Sequence, residues 1–160
     1  MLAELGARTF SETFLSSNRP EDVAAFLAAT YSPEMQAAEL ADRANLHLVA
    51  ELAGEKPLAV GFAKLKRGAA PSCVEGTSPL EIARLYVARD HLGGGVGAML
   101  MRRCLEEARA ANHDVVWLGV WERNERALGF YRRWGFRVVG EHAFQLGSDR
   151  QNDLLMSLAL

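Results

Sequence analysis

Cysteine is scarce in this chain. Cys73 and Cys104 are the only two in 160 residues, which is too few for a disulfide framework and lacks the Cys-x-x-Cys spacing of a zinc or redox site. A reducing, cytoplasmic setting is therefore expected. An excess of either charge is missing as well: 18 Lys and Arg face 20 Asp and Glu, for a formal net charge of -2. That balance gives no footing for a polyanion such as nucleic acid, and a neutral or cationic small molecule is easier to accommodate. No apolar run is long enough to span a membrane, and Met1 to Phe14 is broken by Glu4, Arg8 and Glu12, unlike a signal peptide. His47, His91, His113 and His142 show no metal-ligand spacing, so no metal is expected. Internal repeats and low-complexity segments are also lacking.

What is present is a 49% hydrophobic chain long enough for one domain with a proper core. Its first third is patterned for helices. Leu2, Leu5, Thr9, Phe10 and Phe14 recur at helical spacing. Pro20-Glu21-Asp22 and Ser32-Pro33 each place proline at a helix start, with Val23, Phe26, Leu27 and Thr30 as one buried stripe. Apolar runs at Leu46–Leu52 and Leu58–Leu65, separated by Ala53-Gly54-Glu55-Lys56-Pro57, predict an antiparallel pair of strands. Lys66 to Pro79 lacks periodicity and is expected to be a long loop bordering a site. A strand at Leu80–Val87 and a helix from about Gly97 to Ala111 make one βα unit. Val115–Trp121 and Asn124–Trp134, closed by Gly135, make a second. Strands at Phe136–Leu146 and Asn152–Leu160, joined through residues 147–151, close the chain.

Leu92-Gly93-Gly94-Gly95-Val96-Gly97 concentrates four glycines between a strand and a helix start at Ala98. Such a loop approaches a ligand without Cβ interference, and the orphan amides of the helix beyond it suit a phosphate or pyrophosphate. It is not a Walker loop, because Ala98-Met99 stands where Lys-Ser or Lys-Thr is required. It is not a dinucleotide fingerprint either, because the next strand ends in Trp121 rather than an acid.

The glycine loop, with Asn124-Glu125-Arg126-Ala127 and Phe130-Tyr131-Arg132-Arg133-Trp134-Gly135-Phe136 at the expected separation, resembles the GNAT superfamily of acyl-CoA-dependent N-acyltransferases over nearly the whole chain from Phe10. Leu92 departs from the Gln or Arg that the superfamily places first in the loop. The resemblance implies an α/β GNAT fold over residues 1–160, a mixed, mostly antiparallel central sheet flanked by helices. No strand is expected before the first helix, which leaves a sheet edge where a second copy could pair as a homodimer. Thr9 to Phe14, Trp117 to Glu122 and His142 to Leu154 are similar to the PaiA-type branch, which acetylates polyamines such as spermidine and spermine.

The function so implied is transfer of an acetyl group from acetyl-CoA to a primary amine by direct attack in a ternary complex. Another amine (a protein N-terminus, an amino acid, an aminoglycoside) and a non-catalytic acyl-CoA sensor are the alternatives. The resemblance places the pantetheine arm and the oxyanion donor along Leu85, Tyr86 and Val87. It places the pyrophosphate on Leu92, Gly93, Gly94, Gly95, Val96, Gly97 and Ala98, with further cofactor contacts at Asn124, Ala127 and Tyr131. Tyr131 is the expected general acid toward the thiolate. An alkyl amine has a pKa of about 10.4 and must lose a proton before attack. Glu81 is the candidate base, and strict alternation would set it on the face of Ala83, Leu85 and Val87. Glu12, Glu81 and Trp121 are the expected acceptor contacts. Glu75, Glu122 and Asp149 are further acids, and Tyr31 and Trp117 further walls, for a flexible polycation. His142, on a strand with Phe144 and Leu146, reads as structural, and Cys104 as a small core residue.

Overall fold

The structure is a computed structural model that describes all 160 residues, Met1–Leu160. Three helices come first: α1 (Leu2–Phe14), α2 (Pro20–Thr30) and α3 (Pro33–Ala41). Strands β1 (Asn45–Leu52), β2 (Leu58–Arg67) and β3 (Pro79–Val87) follow, then α4 (Val96–Ala110), β4 (Val115–Trp121), α5 (Glu125–Arg133), β5 (Arg137–Leu146) and β6 (Asp149–Ala159). The strands form one six-stranded sheet in the order β1-β2-β3-β4-β6-β5, antiparallel throughout except for the parallel β3/β4 pair. No strand precedes α1, as the sequence led us to expect.

Both faces of the sheet are covered. On one, Met101, Cys104, Leu105 and Ala108 of α4 and Leu128 and Tyr131 of α5 pack on Leu80, Ile82, Val116, Leu118 and Val120. On the other, Leu2, Leu5 and Phe10 of α1 and Val23 of α2 pack with Phe62, Tyr31 and Leu146. The 68–78 segment covers the remaining corner, where Val74 meets Val115, Trp117 and Leu155. This segment is anchored by Asp114, whose carboxylate accepts hydrogen bonds from the Thr77 hydroxyl and from the Thr77 and Ser78 amides at 2.6 to 2.9 Å. Those donors pull its carboxyl down to about 2.

Several expectations change. β6 begins three residues earlier than read from the sequence, at Asp149, so the closing turn is only Gly147-Ser148. Gly147 turns the chain at a φ of +57, and the Ser148 amide donates to Asp22 Oδ1 at 2.6 Å. Asp22, read as a helix-start acid, is buried beneath this turn. In α2 only Val23 of the expected stripe is fully enclosed. Ala111 lies beyond the end of α4 and is exposed.

The strongest polar tie lies under α3. Glu39 takes a bidentate contact from Arg84 at 2.6 and 2.9 Å, and Lys64 Nζ lies 2.8 Å from its other side. Arg84 also lies over the Tyr31 ring at 5.0 Å. Tyr31, expected to line the acceptor site, is instead 5% exposed in the core. Burial alone would raise the Glu39 carboxyl, but hydrogen bonds from Arg84 and Lys64 outweigh it and hold it near 2. Its folded pKa lies below the 4.5 of a free glutamate. The stabilisation is therefore complete above pH 4.5 and is lost as pH falls toward 2. Replacing Glu39→Ala leaves two enclosed cations without a counter-ion. It should cost about 3 kcal/mol in urea-induced unfolding at neutral pH, a loss that shrinks in acid.

Candidate active site

The site is built where the sheet parts. β3 and β4 pair only at Pro79/Val115, Leu80/Val116 and Glu81/Trp117. Beyond them β3 keeps β2 and β4 keeps β6, so the edge of β3 from Ile82 onward faces an opening. A bulge marks the parting. Ile82 pairs with Leu65 and Arg84 with Lys64, leaving Ala83 without a partner in the β2 ladder. Such an extra residue bends and twists the strand that carries it. Leu85, Tyr86 and Val87 thus present backbone groups to the opening on the side away from β2.

The glycine loop closes one end of that opening. Gly93 and Gly95 have φ of +83 and +87, and open space lies where their Cβ atoms would stand. Gly95 caps α4, and the first bond of the helix runs from the Met99 amide to the Gly95 carbonyl. The amides of Val96, Gly97 and Ala98 precede that bond and remain as donors. Leu92 is 40% exposed beside them. These donors suit a pyrophosphate, and the unpaired edge of β3 suits an amide-bearing arm, so the residues fit coenzyme A.

Tyr131 lies on α5, buried in the core layer beside Cys104. Asn124 starts α5 by accepting the Ala127 amide at 3.1 Å, and Gly135, with φ +92, ends it. The helix so bounded sets the Tyr131 ring between Phe130 and Phe136, at centroid distances of 5.5 and 5.8 Å. Burial, aided by Cys104, pushes the Tyr131 hydroxyl well above the ordinary tyrosine range, so it keeps its proton at neutral pH. Cys104 is fully enclosed and its thiol is pushed up to about 12 by burial, which removes it as a nucleophile. Tyr131 also acts electrostatically on Tyr86, whose hydroxyl is pushed far up, chiefly by burial.

Glu81 is not where strict alternation puts it. The Ala83 bulge reverses parity, so Leu85 and Val87 lie on the α4 face, while Glu81 shares the opposite face with Arg84 and Tyr86. Burial raises its carboxyl, against the opposing pull of Lys66, Lys64, His142 and Arg84. Neither Arg84 nor Arg126 pairs with it; Arg84 is committed to Glu39. Glu12, expected to meet the acceptor, instead accepts the Arg89 amide at 2.9 Å and ties α1 to the turn before the glycine loop. Trp121 does reach a cavity of about 600 Å³ that also takes in Glu122, Glu141, His142, Asp149 and Arg150. Trp117 belongs to the buried corner beneath the 68–78 segment.

Sequence reasoning did not single out Asp153, nor its pairing with His142. The His142 Nε2 and Asp153 Oδ2 atoms lie 3.8 Å apart, above Gly119. Asp153 sat inside a stretch matched to a family pattern, but its partner lies eleven residues away on another strand. Only strand pairing brings the two together.

A parted β3/β4 pair, with a glycine cradle leading into α4 and a capped α5 that carries the buried Tyr131, defines a class, and comparison with known proteins agrees. Residues 9–136 match the Acetyltransferase (GNAT) family. The chain belongs to that family and is an acetyl-CoA-dependent N-acetyltransferase. It is 35% identical over 156 residues, 98% of its own length and 88% of the relative's, to a protein of Lactobacillus delbrueckii subsp. lactis named as an N-acetyltransferase in the pepI 3' region. A Mycobacterium tuberculosis N-acetyltransferase is 34% identical over 97% of this chain and 93% of its own. Among solved structures, PaiA N-acetyltransferase of Thermoplasma acidophilum in complex with coenzyme A superposes with a TM-score of 0.76 at 20% identity. That match covers 99% of this chain and 91% of the other. No helix of the structure is long and apolar enough to cross a membrane.

Because the Asn124 side chain supplies the only side-chain cap of α5, Asn124→Ala should cost about 1 kcal/mol in thermal or urea unfolding. Asn124→Asp should keep most of it.

Proposed function

We propose that residues 1–160 act as one domain that acetylates the primary amine of a polycation, of which spermidine and spermine are the type. The observation that carries this is the placement of Trp121. It ends β4 at the open side of the parted strands and lines a cavity that also holds the carboxylates of Glu122, Glu141 and Asp149. Arg123 and Arg150 reach the same cavity, so carboxylates outnumber guanidiniums three to two there. An aromatic face beside carboxylates is a suitable seat for alkylammonium groups. The structural likeness to PaiA N-acetyltransferase accords with that reading of the acceptor.

Acetyl-CoA, when bound, supplies an activated thioester carbonyl to the amine. The chain's own residues do the rest. Val96, Gly97 and Ala98 donate amides to the pyrophosphate, strengthened by the positive end of the α4 dipole. Leu92 adds no side-chain hydrogen bond, so the grip there is one of backbone. The β3 edge at Leu85–Val87 holds the pantetheine arm and offers an N–H to the carbonyl oxygen. Tyr131, protonated at neutral pH, donates to the sulfur. Glu81, raised by burial, takes a proton from the ammonium directly or through water.

The measurement is release of free thiol from acetyl-CoA against a panel of amines. Release should be fastest with spermidine or spermine, and Tyr131→Phe should lower kcat about 100-fold while coenzyme A binding persists. The kcat/KM profile should fall on its acid side at a pH above the 4.5 of a free glutamate, because burial raises Glu81. Tight coenzyme A binding with no release for any amine would overturn the proposal.

A further inference from the structure

Gly119 is out of character for its place. It lies in β4, between the enclosed Leu118 and Val120, yet it is exposed. It faces the side of the sheet on which Glu81 stands beside Trp117. A Cβ there would stand 3.4 Å from His142 Nε2 and 3.6 Å from Asp153 Oδ2, so the space left by the missing side chain is where those two groups meet. The strand pairings explain how they arrive: Asp153 is opposite Trp121 on one side and opposite His142 on the other. His142 therefore leans across β6 from the edge strand.

The two members differ in exposure. The Asp153 side chain is 15% exposed and that of His142 is 47%. Asp153 is the inner group, on the face of the sheet that also carries Glu81 and Tyr86. His142 is the outer group, and it lines the cavity that opens to solvent. Asp153 is raised by burial, with His142 opposing, and His142 likewise opposes the rise of Glu81. One imidazole thus serves both desolvated carboxylates of this face. The charged groups around it are Asp153 from β6, Glu81 from β3 and its own neighbour Glu141. Across the cavity stand Glu122 and Arg123 after β4, and Asp149 and Arg150 at the start of β6.

We infer that Asp153 and His142 form the outlet for the acceptor's proton, Asp153 receiving it from Glu81 across the bare face of Gly119 and His142 passing it to water in the cavity. The inference rests on the amine-acetylation reading and extends it. Of the three hydrogens of an alkylammonium, one stays on the product amide and one leaves with the thiol as the C–N bond forms and the C–S bond breaks. The third must reach solvent. It moves from the ammonium to Glu81, through water to Asp153 Oδ2, and then to His142 Nε2. The imidazolium gives a proton to cavity water from Nδ1, and exchange with that water returns the ring to its Nδ1–H tautomer, so that all three groups are restored.

His142→Gln tests this on a half-exposed side chain. With spermidine and acetyl-CoA, kcat should fall about tenfold to a hundredfold while KM for spermidine stays within twofold, and added imidazole should restore the rate in proportion to its unprotonated fraction. Asp153→Asn should show a similar loss without rescue, and the double variant should be no worse than the single ones. A His142→Gln enzyme within twofold of wild type at every pH would overturn the inference. So would a loss that imidazole does not restore although the melting temperature is unchanged, or a change confined to KM. If His142→Gln and His142→Ala both lose their thermal transition, the histidine is structural and the outlet is refuted. Wild-type protein that releases no thiol with any amine refutes the amine-acetylation reading instead, so the two failures are told apart.

Discussion

Three residue pairs hold β3 to β4, and nearly everything else follows from their ending at Glu81/Trp117. A parallel pair that stops in mid-sheet leaves backbone groups without partners, which water or a ligand must satisfy. The chain keeps the opening from closing by giving each strand a firm partner on its far side. β2 pairs along most of β3, and β6 pairs with every residue of β4. The Ala83 bulge then bends β3 away two residues after the ladder with β4 ends. Insertion of β6 between β4 and β5 is what gives β4 that far-side support.

The same bulge sorts the charges. By reversing parity it sends Arg84 to the face of Lys64 and Glu39, where the bidentate pair fastens α3 to the sheet, and it sends Leu85 and Val87 to the face of α4. Without the extra residue, Arg84 would point into the apolar layer under α4, at a desolvation cost of several kcal/mol. Glu81 precedes the bulge and remains on the face of the charged groups, but it is left out of the Glu39 network. A carboxylate that is desolvated and unpaired is poised to exchange a proton, whereas Glu39, saturated by two cations, is not.

How much of this is legible in the sequence depends on the distance over which each feature is determined. The glycine loop and the start and end of α5 are local: Gly93, Gly95 and Gly135 adopt positive φ, and Asn124 caps its own helix. Element order and most boundaries were readable for the same reason. The strand order was not, because nothing within Arg137–Ala159 says that the later strand of the hairpin is the inner one. Alternation misplaced Glu81 because a bulge has no signature in a run such as Ile82-Ala83-Arg84. Glu12 was read as a substrate contact from its motif, yet its carboxylate is taken up by the Arg89 amide, 77 residues away. The pairing of His142 with Asp153 over Gly119 could not be read from the sequence, because it exists only after three strands have assembled.

The cofactor half and the acceptor half are therefore built by different physics. Coenzyme A is met by backbone amides whose geometry is set by a few glycines and one helix end, so Leu92 can stand where the family has a polar residue without removing the cradle. The acceptor site proposed above is made of side chains from β3, β4, β5 and β6 whose positions depend on register. A one-residue slip in the β5/β6 ladder would turn His142 to the opposite face. The bulge at Val139, between the Val138/Met156 and Gly140/Leu155 pairs, is such a slip built into the fold. It sets the face on which His142 lies and thereby places it over Gly119. On the proposed reading, specificity in this acetyltransferase is a matter of strand register at the edge of the sheet, and the glycine loop that dominates its sequence carries no information about it.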